Sequence, residues 1–338
     1  MEIKEIAFQE HSAWDALVAS SPEQTVFLTD DFLKTWVSAD PEMDLFRLGC
    51  YEDGSLVGGI VVLHKKTLKI IRIQNILSIF YASTPIISGK YPGHTARHYE
   101  IMTTLASSIR KYFPYLRLEC NPCLDDVSAF LNEGWTCKPR YSHMWDIRDP
   151  EEMLNSMHRK KRYVKRAMKE YCFTCGIDED IEDFLTLYLR DLDRFSWQPS
   201  DYWIEAFRKR VTWMKSQNIF RLYTCRTQDG QLANSLACIL SPCNKTAYGW
   251  LVAYDRDLQD NAVSPSIYYY AALDLCGQFD YLDIGEAANK SIYAYKDSMG
   301  TSIHPFWVME TTSAKSWLTI YKTLQRAKWA LSRRMVNR

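Results

Sequence analysis

The sequence predicts an α/β protein (α+β in its layout) of two similar units in tandem, each a mixed twisted sheet flanked by helices. Three observations predict it. Segments with helical spacing of apolar residues alternate along the chain with short β-rich runs. Two Asp-Gly turns, Asp53-Gly54 and Asp229-Gly230, join strand pairs at corresponding places in the series. The chain has 338 residues, 47% hydrophobic and 24% charged, enough for two globular cores.

The elements follow in order. Residues 10–20 read as a short helix. "TVFLTDDFLKTWVSAD" reads as a strand end, then a helix capped near Thr29 or Asp30, with Trp36 on its apolar face. "LFRLGCYEDGSLVGGIVVLHKK" is a hairpin, because Asp-Gly supplies the positive φ of a tight turn. A strand pair around "ASTPIISGKYPG", a helix over 97–112, a strand at "YLRLECNP" and a helix over 124–132 complete the first series. The second opens with a helix over 151–170 and another over 180–195. Trp203, Phe207, Val211 and Met214 then give a third helix its apolar face. The second hairpin, the strand "KTAYGWLVAYD", a helix ending on Gly277 and the strand "FDYLDIG" follow. The repeated order suggests a structural duplication with its boundary near 145–155: domain 1 over 1–150, domain 2 over 151–313.

Lysine plus arginine and aspartate plus glutamate number 41 each. With no net charge, any binding to nucleic acid or membrane must come from a local patch. The first residues carry neither a basic nor a long apolar segment, and no apolar run approaches the ~20 residues of a spanning helix. The expected location is cytoplasmic.

The ten cysteines are scattered, which does not suggest a disulfide framework. Cys120/Cys123 and Cys172/Cys175 have C-x-x-C spacing, but the gap between the pairs is long and neither holds a Gly-bearing knuckle. No metal site is expected.

The strongest local charge is "MHRKKRYVKRAMKEY". Arg162, Arg166 and Lys169 share one helix face, and Lys161 and Lys165 another. With Arg159 and Lys160 these residues suit the phosphates of RNA, a nucleotide-linked substrate or an anionic surface; a solvated helix face is the plain alternative. At the chain's end, Trp317, Ile320, Tyr321, Leu324 and Leu331 form one stripe. A helix over 314–338 packed on domain 1 is expected, a membrane-surface helix being the alternative.

The order and spacing of four stretches resemble the Fem-type and Fem-like acyltransferases, tandem GNAT-fold proteins. These are the basic helix; "FRLYTCRTQDGQLANSLACIL" with "AYGWLVAYD"; "AVSPSIYYYAALDLC"; and "FDYLDIGEA", "SIYAYKDSMG" and "HPFW". The resemblance covers the second half well and the first half by its element order. It implies two GNAT-like domains, with acyl or aminoacyl transfer to an amine of a small molecule, amino sugar or cell-wall peptide. The co-substrate would be acyl-CoA or aminoacyl-tRNA, with no tightly bound cofactor. No helical-hairpin insertion follows the basic helix, so the chain resembles the armless members or the broader Fem-like acetyltransferases, whose substrates are diverse.

The resemblance places donor binding at Gln259–Ser264, before a helix whose N-terminal N–H groups favour anions. The usual glycines are absent there, and Asp255, Asp257 and Asp260 add unfavourable charge. Ser264, Ser266, Trp250 and Tyr295 are the donor-side candidates; Ser264 also reads as a plain N-cap ahead of Pro265. The resemblance puts Lys296 in the active site, against an oxyanion or a phosphate. Asp283 and Glu286 flank Gly285 at a strand end, where either could take a proton from the attacking amine. Asp283 alternatively caps the turn. His304 is a further candidate base. A non-catalytic protein that binds RNA or an anionic surface through its basic helix is the reading of another class.

Overall fold

The computed structural model describes residues 1–7, 10–41, 43–67, 71–74, 81–113, 115–158, 160–169, 173–193, 199–258 and 263–311, with backbone alone at 65–67, 71–74, 168, 169, 193 and 263. Arg159, Cys172, residues 259–262 and the 314–338 segment lie outside the described residues. The chain divides into two compact units: Met1–Arg140 with the described chain from Phe306, and Tyr141–Pro305.

The first unit begins with β1 (Glu2–Glu5), α1 (His11–Ser20) and α2 (Asp30–Ser38). Val26–Leu28, read from the sequence as a strand end, is a buried 3-10 turn whose last amides bond back three residues. The hairpin follows as β2 (Met43–Glu52) and β3 (Ser55–Thr67), with Asp53 at φ 48° and Gly54 at φ 77°. These angles give the primed turn whose twist matches that of the strands. Then come β4 (Ile71–Gln74), β5 (Ile86–Ile87), α3 (Ala96–Ile109), β6 (Arg117–Glu119), α4 (Ser128–Asn132) and β7 (Trp135–Asp146). The strands lie in the order β1-β2-β3-β4, with β5 against Gly58 and Gly59 of β3. Those glycines let helices close on the strand. A Cβ at Gly58 would meet Ile101 of α3 at 2.6 Å, and one at Gly59 would meet Trp14 of α1 at 2.6 Å. The core joins Phe46, Leu48, Ile60 and Val62 of the hairpin to Ile101, Leu105 and Ile109.

The second unit continues with α5 (Pro150–Ser156), α6 (Lys160–Lys169), β8 (Thr174–Ile177), α7 (Glu182–Asp193) and α8 (Asp201–Ser216). Next are β9 (Phe220–Arg226), β10 (Leu232–Ser241), β11 (Thr246–Tyr254), α9 (Val263–Leu275), β12 (Tyr281–Glu286), α10 (Lys290–Asp297) and β13 (Ser302–Thr311). The single helix expected over 151–170 is two, α5 and α6. His158 takes a left-handed φ of 43° between them, and the fully buried Met157 turns into the core. The strand order is β7-β12-β11-β10-β9-β8. Neighbours are antiparallel except β11 and β12, which are parallel. Ile267, Ala271, Ala272 and Leu275 of α9 are fully buried against the strands. Among the described residues no helix is long and apolar enough to cross a membrane.

Candidate active site

The sheet of the second unit opens where its two parallel strands meet. β11 and β12 pair only at Thr246/Tyr281, Ala247/Leu282 and Tyr248/Asp283, although β11 runs on to Tyr254 and β12 to Glu286. Both strands bulge just past the last pair. Cys238 and Ala237 of β10 face Gly249 and Leu251, leaving Trp250 as an extra residue on β11. On β12 an extra residue lies between Asp283, opposite Met144, and Glu286, opposite Ser142. Bulges bend and twist a strand, so the pair opens into a gap rather than ending in a loop. Gly285 sits in the β12 bulge at φ 74°, where a side chain would be strained.

The bulge is held from three sides. The Ser142 hydroxyl of β7 donates to Asp283 Oδ1, and the Gly285 amide donates to the same oxygen at 2.7 Å. From α10, Lys296 Nζ donates to the carbonyls of Ile284 (2.6 Å), Gly285 (2.8 Å) and Glu286 (3.0 Å). Lys296 is 9% exposed and Asp283 is buried. Burial pulls the Lys296 ammonium down to about 8, opposed by the negative charges of Asp283 and Glu286. Lys296 is therefore no solvated lysine: the three protons of its ammonium meet three main-chain carbonyls.

A second group of side chains converges on Tyr295. Its hydroxyl bonds with Ser264 Oγ of α9, and Ser264 Oγ lies 3.4 Å from the Tyr254 hydroxyl at the end of β11. Tyr254 also bonds with Tyr268. Burial raises all three tyrosine hydroxyls, so they remain protonated. Ser264 is the second residue of α9 rather than its cap, which turns its hydroxyl toward Tyr295. Ser266 is buried on the same helix. From α6, Lys160 Nζ lies 5.2 Å from the centre of the Tyr295 ring, within cation–π range.

The remaining candidates fall elsewhere. Trp250 stacks on Phe207 of α8, with ring centres 5.3 Å apart. On α6, Arg162 and Lys165 are exposed, Lys161 bonds to Asn155 Oδ1, and Arg166 is half-buried. His304 bonds to Ser302 at 2.9 Å. Asp255 is not the loose negative charge its position suggests. Burial raises its carboxyl, but Arg190 at 2.6 Å and the Asp257 amide outweigh that and hold it below the usual range.

Sequence reading placed Lys160 only in the basic helix and missed Ser142, His143, Tyr254, Tyr268 and Thr301. His143 Nδ1 lies 2.8 Å from Thr301 Oγ1, whose proton goes to the Lys296 carbonyl at 3.1 Å. The imidazole thus carries its proton on Nδ1, and burial, then the Lys296 charge, keep it neutral. The signal available was the polar pair Ser142-His143 inside an otherwise apolar strand end.

No family model matches this chain, and no curated relative does. Solved structures do. One is FemX, with a TM-score of 0.63 at 15% identity, over 91% of this chain and 97% of that one. The chain has the tandem GNAT fold of FemX. The fold is shared with the C-terminal domain of a candidate lysylphosphatidylglycerol synthetase from Agrobacterium fabrum (TM-score 0.58, 11% identity, 94% of this chain and 97% of that one). A tandem GNAT protein from the clavulanic acid biosynthesis pathway is also similar (TM-score 0.54, 10% identity, 91% and 97%). In this chain the second of the two GNAT-like units carries the split strand pair, the Lys296 clamp and the Tyr295 hydroxyl group.

Proposed function

We propose that this protein is an acyltransferase that moves an acyl or aminoacyl group from an activated donor to an amine, using the gap between β11 and β12. The observation that carries the reading is the three-residue parallel pairing that ends in two facing bulges. It leaves a built opening in a sheet, with hydroxyls and a buried cation beside it. The fold shared with FemX and the tandem GNAT proteins supports it.

The chemistry assigned to the residues is direct transfer. The amine attacks the ester or thioester carbonyl, its nitrogen loses a proton, and the tetrahedral oxyanion expels an alcohol or a thiol. Glu286, half-exposed beside the clamp, is the proposed base. Asp283 is the positioning group, because its Oδ1 already accepts from Ser142 and Gly285. The Tyr295 hydroxyl is the proposed proton source for the leaving oxygen or sulfur, with Ser264 orienting it. Lys296 sets the positive potential of the opening and the path of the β12 backbone. Its protons are already bonded to carbonyls, so its influence on an oxyanion is electrostatic rather than a direct bond.

Two donors fit, acyl-CoA and aminoacyl-tRNA. Lys160 against Tyr295 continues into the exposed Arg162 and Lys165 of α6, which favours the donor with more phosphates, aminoacyl-tRNA. The proposed acceptors are a cell-wall peptide precursor, an amino sugar or another small amine, and the synthetase-like fold match adds a lipid headgroup. No tightly bound cofactor or metal is part of the reading. The full engagement of Lys296 favours one second reading, a non-catalytic protein that binds RNA or an anionic surface through α6.

Calorimetric titration with acetyl-CoA and with charged tRNA, followed by single-turnover assays over an amine panel, separates the two. Binding of one donor and its loss in the presence of an acceptor supports the transferase. Binding of charged and uncharged tRNA alike, with no consumption under any acceptor, leaves the binding protein.

A further inference from the structure

Cys175 and Cys225 face each other across the two outermost strands of the second unit's sheet. They are register partners in the antiparallel pair β8/β9, and their Sγ atoms are 3.2 Å apart. Directly opposed residues of such a pair have Cα atoms roughly 4.5–5.5 Å apart. That lies inside the about 4.4–6.8 Å span of a disulfide, so the sulfurs need only a small rotation about each Cα–Cβ bond to bond. Cys175 is half-buried on the edge strand, and Cys225 is fully buried beneath it. Cys175 is thus the more accessible of the two to a small oxidant, with the second thiol behind it. Among the described residues no group of His, Cys, Asp or Glu is arranged to hold a metal.

We propose that Cys175 and Cys225 are a peroxide-reactive thiol pair that closes to a disulfide and staples edge strand β8 to β9. The Cys175 thiolate attacks one oxygen of hydrogen peroxide. The O–O bond breaks, and the departing hydroxide leaves as water with the proton that the thiol released. Cys225 sulfur then attacks the sulfenic sulfur, an S–S bond forms, and the S–O bond breaks. The second hydroxide takes the Cys225 proton and also leaves as water. Two thiols are oxidised and one peroxide is reduced to two waters. The staple bears on more than one strand. The Phe173 amide, just ahead of β8, bonds to the Ala167 carbonyl of α6 at 3.3 Å, so fixing β8 also fixes the C-terminal end of the basic helix. The inference is independent of the proposed transferase reaction.

The test is a peptide map of the full chain treated with hydrogen peroxide under native conditions, alkylated and digested without reductant. The expected product is one cross-linked peptide holding Cys175 and Cys225, lighter by two hydrogens than its parts and split by reductant. It should form before the exposed Cys123 and Cys243 are half consumed. Recovery of both residues alkylated at a peroxide dose that consumes Cys123 overturns the proposal. A link from Cys175 to Cys172, or Cys175 stopped at the sulfinic acid, also overturns it. The wild-type map decides without any variant. Cys225→Ala adds a check where it folds: the cross-link should vanish and Cys175 should accumulate as sulfenic acid, trapped by a dimedone probe.

Discussion

Lys296 Nζ lies 2.8 Å from the Gly285 carbonyl, so the helix after β12 holds the bulge of that strand from its own last turn. The same ammonium reaches the carbonyls on either side. Removing it leaves three main-chain acceptors in a buried site. Lys296→Met should destabilise the protein by roughly 2–4 kcal/mol at pH 7, read as a lower urea midpoint. A variant as stable as the parent would show that the clamp contributes nothing.

The same lysine predicts a pH dependence of stability. Its folded value is about 8, against 10.5 when unperturbed. Below about 8 both states hold the proton, and stability does not vary through this group. Between about 8 and 10.5 the unfolded chain binds more protons than the folded one, so stability rises with pH, by roughly 3 kcal/mol at most. Urea titrations at several pH values should show that rise in the parent and lose it in Lys296→Met. A parallel rise in both proteins rejects the assignment.

Two glycines should respond differently to alanine. Gly285 (φ 74°) has open space around a would-be Cβ, so Gly285→Ala carries only the backbone cost, about 1–2 kcal/mol. Gly300 (φ 73°) would place its Cβ onto the Ser156 carbonyl, so Gly300→Ala adds a clash with main chain and should cost more than about 3 kcal/mol. Denaturant midpoints that rank the two the other way contradict this geometry.

Tyr295→Phe removes the hydroxyl that meets Ser264 and keeps the ring beside Lys160. The proposed proton source is lost with little change in packing. Turnover should fall on the order of a hundredfold while stability changes by about 1 kcal/mol. Full activity in the variant would remove Tyr295 from the chemistry.

The basic helix separates the two donors. Arg162→Ala with Lys165→Ala should weaken charged-tRNA binding and lower its dependence on salt by up to about 0.9 in logarithmic slope per residue. Acetyl-CoA binding should be unaffected. The opposite pattern, a loss for the thioester alone, would reverse the preference for aminoacyl-tRNA.

Local chemistry made much of the fold readable. Asp53-Gly54 and Asp229-Gly230 stand in the turns of their hairpins because a positive φ is a property of a few consecutive residues. The apolar spacing of Phe207, Val211 and Met214 gave α8 its buried face for the same reason. The break between α5 and α6 was not readable, because it follows from where Met157 finds its core. The stacking of Trp250 on Phe207 was not readable either, because an added residue in β11 decides which side a side chain takes, and a bulge leaves no mark in spacing alone.

The sequence by itself determined the alternation of helices and strands, the paired hairpins, the tandem plan and the basic character of α6. It also set Lys296 on a helix after a Gly-containing strand end. Only the tertiary structure decided that this lysine is buried and bonded to carbonyls. The deciding contacts join β7 to β12, with Ser142 and Asp283 lying 141 residues apart. Propensity and periodicity act over a few residues, whereas the burial of a charge depends on which distant strands close around it. The facing of Cys175 and Cys225, 50 residues apart, was fixed in the same way, by strand register rather than by the C-x-x-C spacing that first drew attention to Cys175.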